Sequence, residues 1–266
     1  MRKIASVRRK FGRKSAAYRL SAGKVSGQGD RQCQEDSLAF SPPELYSEQG
    51  FLAVLSDGMG GMENGDLVSG TVTSSMMRQF SLSDGEPTER LAELFDCANR
   101  KVNRVLGMAR IGTCGATVVA GLFYQGKLYY ASVGDSRICL YRNGELLQLN
   151  REHIYQNELI LRMINGNGTF DEAKSHPHAA GLTSFFGMGQ LKYLDLPAKP
   201  LHLLPDDCVA LMSDGVYRSL SGEEICRALA LRAEDAAEEI GRMIEEKKIL
   251  GQDNYSAIII RCEDKR

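Results

Sequence analysis

The chain has 266 residues, 43% of them hydrophobic, and a net charge of −1. That is enough apolar material for one large core, and the charge balance argues against a general nucleic-acid binder. The charge is unevenly placed: eight Arg/Lys and no acid fall within residues 1–20, which leaves 25 basic against 34 acidic residues in the remainder.

Residues 1–20 read as a basic N-terminal arm, solvated and partly disordered. The arm lacks the continuous apolar segment of a secretion signal, although Ile4, Val7 and Phe11 at helical spacing would also suit contact with an anionic surface. Residues 21–266 read as a single domain, because no Pro/Ser-rich linker divides them. No apolar run approaches the ~20 residues that span a bilayer. The seven cysteines are scattered without a C-x-x-C pair, which indicates a reducing compartment rather than a disulfide framework. A soluble, cytoplasmic protein is expected.

In chain order, the apolar run 51–55 (FLAVL) predicts a strand, and 66–80 is a helix candidate starting after a cluster of glycines. Leu91, Leu94, Phe95, Ala98, Val102, Val105 and Leu106 recur at helical spacing, which predicts an amphipathic helix over 88–106. Short runs at 116–123, 127–133, 137–141 and 145–149 are bounded by turn signals such as Gln-Gly126 and Asn-Gly144. Their close spacing predicts consecutive antiparallel hairpins. A strand follows at 207–212, and Ser221-Gly-Glu-Glu224 is a capping box opening a helix to about residue 230. A last helix over 234–247 precedes a strand at 256–262. Antiparallel strands with helices inserted in pairs predict an α+β sandwich.

Acids gather where these runs begin or end. Asp57 follows AVLS, Asp135 follows YASVG and Asp214 follows VALMS; Asp253 precedes SAIIIRC, and Glu35-Asp36 precedes Leu-Ala-Phe40. Several carboxylates converging at a sheet rim repel one another unless cations lie between them, and hard ions such as Mg²⁺ and Mn²⁺ favour such oxygen donors. Each piece alone has a plainer explanation. Ser-Asp-Gly is a common turn, Asp253-Asn254 is another, and GMGG at 58–61 lacks the residues of a phosphate-binding loop. Their joint occurrence and order carry the signal.

The order resembles that of the metal-dependent Ser/Thr protein phosphatases of type 2C, in their bacterial form. The blocks are Gly29-Asp-Arg31-Gln-Cys-Gln-Glu35-Asp36, Asp57-Gly-Met-Gly-Gly61, Gly112-Thr-Cys-Gly-Ala-Thr117, Ser132-Val-Gly-Asp-Ser-Arg137, Glu172-Ala-Lys-Ser-His-Pro177 with Leu182-Thr183, Ser213-Asp-Gly215 and Asp253-Asn254. The resemblance implies a four-layer α-β-β-α sandwich of two packed antiparallel sheets flanked by helices. It implies two Mn²⁺ or Mg²⁺ ions per chain: Asp57 bridging both, Asp214 and Asp253 completing one site, Glu35 and the Gly58 carbonyl the other. Asp36 would hold a metal-bound water, Arg31 would bind phosphate, and Asp135 would contribute to a third, weaker metal site. A hydroxide bridging the two ions would attack phosphoserine or phosphothreonine in proteins phosphorylated by a bacterial Ser/Thr kinase. A monomer is expected. A catalytically silent type 2C-like regulatory or phosphoprotein-binding module is the alternative, and it predicts missing metal-ligand acids.

Some positions depart from the pattern. Met59 stands where eukaryotic members carry a histidine, Gln34 replaces an asparagine, and Arg218 lies where some members place an acid for the third metal. A cation there weakens that site. Residues 165–189 resemble the variable flap beside the site, with His176 and His178 as its surface residues, and His153 reads as structural.

Overall fold

The computed structural model describes residues 18–60 and 64–264. The arm, apart from its last three residues, and Gly61 therefore lie outside the described residues. Among the described residues, ten strands form two five-stranded antiparallel sheets. One sheet has the order β1 (Tyr18–Gly27), β10 (Tyr255–Asp264), β9 (Cys208–Met212), β6 (Arg137–Arg142), β7 (Glu145–Gln148). The other has the order β2 (Asp36–Phe40), β3 (Phe51–Met59), β4 (Gly115–Tyr124), β5 (Lys127–Val133), β8 (Leu201–His202).

The period-2 alternation of the strands builds the layers. Along β3, Phe51, Ala53 and Leu55 point into the cluster between the sheets, where they meet Val209, Leu211, Ile258 and Ile260. Leu52 and Val54 point the other way, onto α1 (Gly65–Phe80) and α2 (Pro87–Leu106). On the second sheet Ala257 and Ile259 face α6 (Gly222–Leu229) and α7 (Ala233–Lys247). The result is helices, sheet, sheet, helices, the four layers expected. Leu52, Leu55, Leu211 and Ile259 are fully buried, each contributing roughly 1.5–3 kcal/mol by burial.

The predicted helices and capping box are present; Ser221 accepts from the Glu224 N–H, and the Glu224 carboxylate accepts from the Ser221 N–H. Four features differ from the sequence reading. First, the hairpins expected over 116–149 are present, but they divide between the sheets, which spacing did not foresee: β4–β5 lies in one sheet and β6–β7 in the other. The chain crosses between sheets at residues 134–136, where Gly134 adopts φ +102° and a Cβ would lie 2.5 Å from the Thr117 side chain. Second, Tyr18–Leu20 belong to β1, paired with Cys262–Asp264 of β10, and not to the arm. Third, the region around the flap carries two helices, α3 (Tyr155–Ile164) and α4 (Phe170–Ser175). Fourth, Asp214 opens a short helix, α5 (Asp214–Tyr217), rather than a plain turn.

Candidate metal centre

Strand register places the sequence-predicted acids on one rim. In one sheet Asp36 pairs with Asp57, which in turn pairs with Thr117, and Val118 pairs with Val133 at the end of β5. In the other sheet Met212 pairs with both Ala257 and Arg137. The residues beyond these steps are Asp135, Asp214 and Asp253, so all three lie past the same edge. The Ser213 hydroxyl closes the gap between sheets by donating to Asp36 Oδ2 at 3.0 Å.

Backbone contacts explain the glycines. The Gly58 N–H donates to the Glu35 carbonyl at 3.1 Å, and a Cβ on Gly58 would lie 2.4 Å from the Gly65 carbonyl oxygen. A Cβ on Gly65 would fall 2.3 Å from Glu35 Oε1. Glu35, the end of β3 and the start of α1 are therefore packed at backbone distance. At Gly58, where the clash is with backbone, only glycine fits; at Gly65 a Cβ would instead push the Glu35 carboxylate aside.

The electrostatics follow from the crowding. Burial raises the pKa of Asp57 well above the ordinary carboxylate range, and the charges of Asp36, Asp214, Asp135 and Asp253 raise it further. Asp36 is pushed up to about 7, mainly by burial, despite hydrogen bonds from Ser256 and Ser213. Asp135 is raised to about 6 by burial and by Asp214. Burial also raises Glu35, with Asp66 adding to the effect, and it raises Asp214 against the opposing pull of Arg218.

Among the described residues, no three His, Cys, Asp or Glu side chains converge closely enough to form a finished cage. Two of the chain's own cations lie on the acids instead. Arg31 Nη2 is 2.6 Å from Asp253 Oδ2, and Arg218 Nη1 is 3.0 Å from Asp214 Oδ2. The donor set nonetheless fits hard divalent cations. It is all oxygen, its members raise one another's pKa, and Asp36 Oδ1 is buried without a hydrogen-bond partner.

Sequence reasoning missed the residue that ties the loops together. Asn254 is 5% exposed. Its Oδ1 accepts from the Glu35 N–H at 2.8 Å, and its Nδ2 donates to the carbonyls of Gln28 at 2.7 Å and Cys33 at 2.9 Å. Gln34 does similar work: its Oε1 accepts from the Asp36 N–H, and its Nε2 donates to the Gly27 carbonyl and the Ser26 hydroxyl. The dipeptide Asp-Asn signals only a turn, so the bridging role had no local signature. His153 is buried and accepts from the Gly134 N–H at 3.2 Å, in keeping with a structural role. His178 is exposed on the flap, and its N–H donates to His176 Nδ1.

Comparison with known proteins bears on the family and the fold. A putative protein phosphatase 2C-type of Streptococcus pyogenes is 29% identical over 67% of this chain and 72% of its own length. The crystal structure of the Mycobacterium tuberculosis serine/threonine phosphatase PstP/Ppp superposes with a TM-score of 0.73 at 26% identity, covering 92% of this chain and 99% of that one. The PstP catalytic domain in complex with two manganese ions superposes with a TM-score of 0.72 at 24% identity, over 92% and 99% of the two chains. The family model for protein phosphatase 2C matches residues 21–171, more than half the sequence. On that match, the chain belongs to the protein phosphatase 2C family.

Proposed function

We propose that the protein is a metal-dependent phosphatase that hydrolyses phosphoserine and phosphothreonine in proteins, opposing a bacterial Ser/Thr kinase. The observation that carries this reading is the gathering of Glu35, Asp36, Asp57, Asp214 and Asp253 on one rim, where burial, with the neighbouring acids adding to it, raises the pKa of Asp36 and Asp57. Asp57 would serve two Mn²⁺ or Mg²⁺ ions, with Glu35 and the Gly58 carbonyl on one side and Asp214 and Asp253 on the other. When bound, such ions supply a water of lowered pKa and charge that offsets the phosphate.

The chain's own residues do the rest. Asp36 is fixed by the Ser213 hydroxyl through one oxygen, which leaves Oδ1 to orient a water. Arg31 is 53% exposed at the mouth of the rim, and its planar fork suits two phosphate oxygens. The cysteines are not needed as nucleophiles: Cys139, Cys208 and Cys262 are buried, with thiol pKa values pushed up by burial.

A silent binding module is the competing reading, and the presence of the full acid set disfavours it. The deciding measurement is Mn²⁺-dependent hydrolysis of a phosphothreonine peptide by wild-type protein and Asp57→Asn. Hydrolysis should vanish in the variant and with EDTA. Activity that survives either treatment refutes the mechanism.

A further inference from the structure

Asp135 and Asp214 belong to different segments, the crossing between the sheets and the start of α5, and a single guanidinium spans them. Arg218 Nη1 is 3.0 Å from Asp214 Oδ2, and Arg218 Nη2 is 3.5 Å from Asp135 Oδ2. The two carboxylates are 10% and 16% exposed, whereas Arg218 is 57% exposed. Helix spacing puts Arg218 there, since residues i and i+4 share a face, and the Arg218 N–H continues the turn to the Asp214 carbonyl.

The surroundings hold this corner in place. The Tyr217 hydroxyl donates to the Asp135 carbonyl at 3.1 Å. Arg137 stacks 3.7 Å over the Tyr217 ring and pairs with Glu152. These groups border a cleft of about 330 Å³ on which Arg218 also opens. Glu152 is already engaged by Arg137, so Arg218 is the cation that answers Asp135.

We propose that Arg218 is a resident cation at this corner, that it takes the place of a third metal ion, and that Asp135 is therefore not a metal ligand in this chain. This rests on the metal-centre reading above and sharpens it. A divalent ion at Asp135 would have to displace an ion-pair contact and then lie beside a guanidinium of the same sign. The corner does not fit a further metal. Arg218 acts through the two acids and so is a positioning residue.

Metal stoichiometry tests the assignment without relying on turnover. Wild-type protein, Asp135→Asn, Arg218→Lys, Arg218→Asp and Arg218→Asp/Asp135→Asn are dialysed to equilibrium against Mn²⁺, and bound metal is counted by elemental analysis. Wild type, Asp135→Asn and Arg218→Lys should bind the same number of ions. Arg218→Asp should bind one more, at least tenfold tighter than any additional ion on wild type, and the double variant should lose it again. The proposal is overturned if Asp135→Asn holds one ion fewer than wild type, or if Arg218→Asp with a native circular-dichroism spectrum gains none. Asp135→Asn decides the matter even if Arg218→Asp does not fold. Wild-type protein that takes up no Mn²⁺ overturns the metal-centre reading itself, which is a different result from wild type that binds Mn²⁺ and counts Asp135 among its ligands.

Discussion

Asp36 and Asp57 stand directly opposite one another on β2 and β3, two carboxylates at one step of an antiparallel ladder. Like charges in that relation destabilise a sheet pair, and burial adds to the cost. The metal-free protein thus carries a local penalty at the place where a cation would be held. Asp57→Asn should stabilise the metal-free protein by roughly 1–2 kcal/mol, which is about 2–8 °C in Tm for a chain of this size. The same change should abolish the Tm increase on adding Mn²⁺. Thermal melts in EDTA check this, and a variant melting at or below wild type would contradict it.

The raised pKa values give the metal-free protein a pH dependence of definite sign. Asp36 titrates near 7 and Asp135 near 6 in the fold, with Asp57 and Asp214 also raised. An acid whose pKa is higher folded than unfolded holds its proton more tightly in the fold. The stability it confers is complete below about pH 4, the unfolded value, and is lost as pH climbs through the folded one. In EDTA the Tm should therefore fall between pH 5 and 7.5. With saturating Mn²⁺, which would hold the rim acids other than Asp135 deprotonated, most of the fall should disappear or reverse. His153, whose pKa burial holds down, contributes with the opposite sign below about 6.5, but it does so in both melts. The difference between them isolates the rim.

Gly58 and Gly65 make a contrasting pair. A Cβ on Gly58 would meet backbone on two sides, at 2.4 Å and 2.6 Å, and neither the Gly65 nor the Glu35 carbonyl can move without disturbing the junction. Gly58→Ala should cost roughly 2–4 kcal/mol of stability as well as metal binding. On Gly65 the nearest atom is the end of the Glu35 side chain, which can swing away. Gly65→Ala should fold with near-wild-type stability yet bind Mn²⁺ more weakly, because Glu35 is displaced. Urea unfolding in EDTA and Mn²⁺ titration separate the two effects.

Asn254 gathers loops more than 200 residues apart in the chain, and its removal should be felt in both stability and metal binding. Asn254→Ala would leave the Glu35 N–H and the Gln28 and Cys33 carbonyls without this partner. Unmet groups of this kind cost roughly 1–3 kcal/mol each where buried, partly recovered by water. A net loss of roughly 2–4 kcal/mol in urea unfolding is expected, with weakened Mn²⁺ binding because Glu35 loses its anchor. Unchanged stability would show that water replaces all three bonds.

This residue also marks where the sequence stops being legible. The strands of the core declare themselves as continuous apolar runs, as in FLAVL and SAIIIRC, because one phase faces the opposite sheet and the other faces the helices. The rim acids were legible as endpoints of those runs. Asn254 was not, because its partners are loop carbonyls that only the folded chain brings near. β1 was missed for a related reason: YRLSAGKVSG is weakly apolar, and its strand character comes from ten paired steps with β10. The crossing at Gly134 was missed because spacing reveals that two strands are neighbours in sequence, not which sheet each joins. α3 buries none of its residues fully, so it left only a faint periodic signal.

Arg31 and Asp253 form a 2.6 Å ion pair in which both side chains are more than a third exposed. Such pairs contribute about 0–1 kcal/mol, so Arg31→Ala should leave the Tm within a few degrees of wild type. Its cost should fall on the substrate. On the proposed reading, Mn²⁺ uptake at Asp253 would remove the carboxylate that occupies the guanidinium and free the fork for phosphate, so metal and phosphate should bind with positive coupling. Inorganic phosphate should then inhibit or bind more tightly with Mn²⁺ present than in EDTA, and Arg31→Ala should abolish that gain. For a phosphothreonine peptide, kcat/KM should fall by roughly 10–100-fold in Arg31→Ala, the value of one or two hydrogen bonds to a charged group. Arg31→Lys should recover only part of it, since an ammonium lacks the fork. Mn²⁺ affinity should hold or improve, because Asp253 no longer has to give up a partner. If Mn²⁺ affinity fell while KM stayed constant, Arg31 would be an anchor for Asp253 and not a ligand for the substrate.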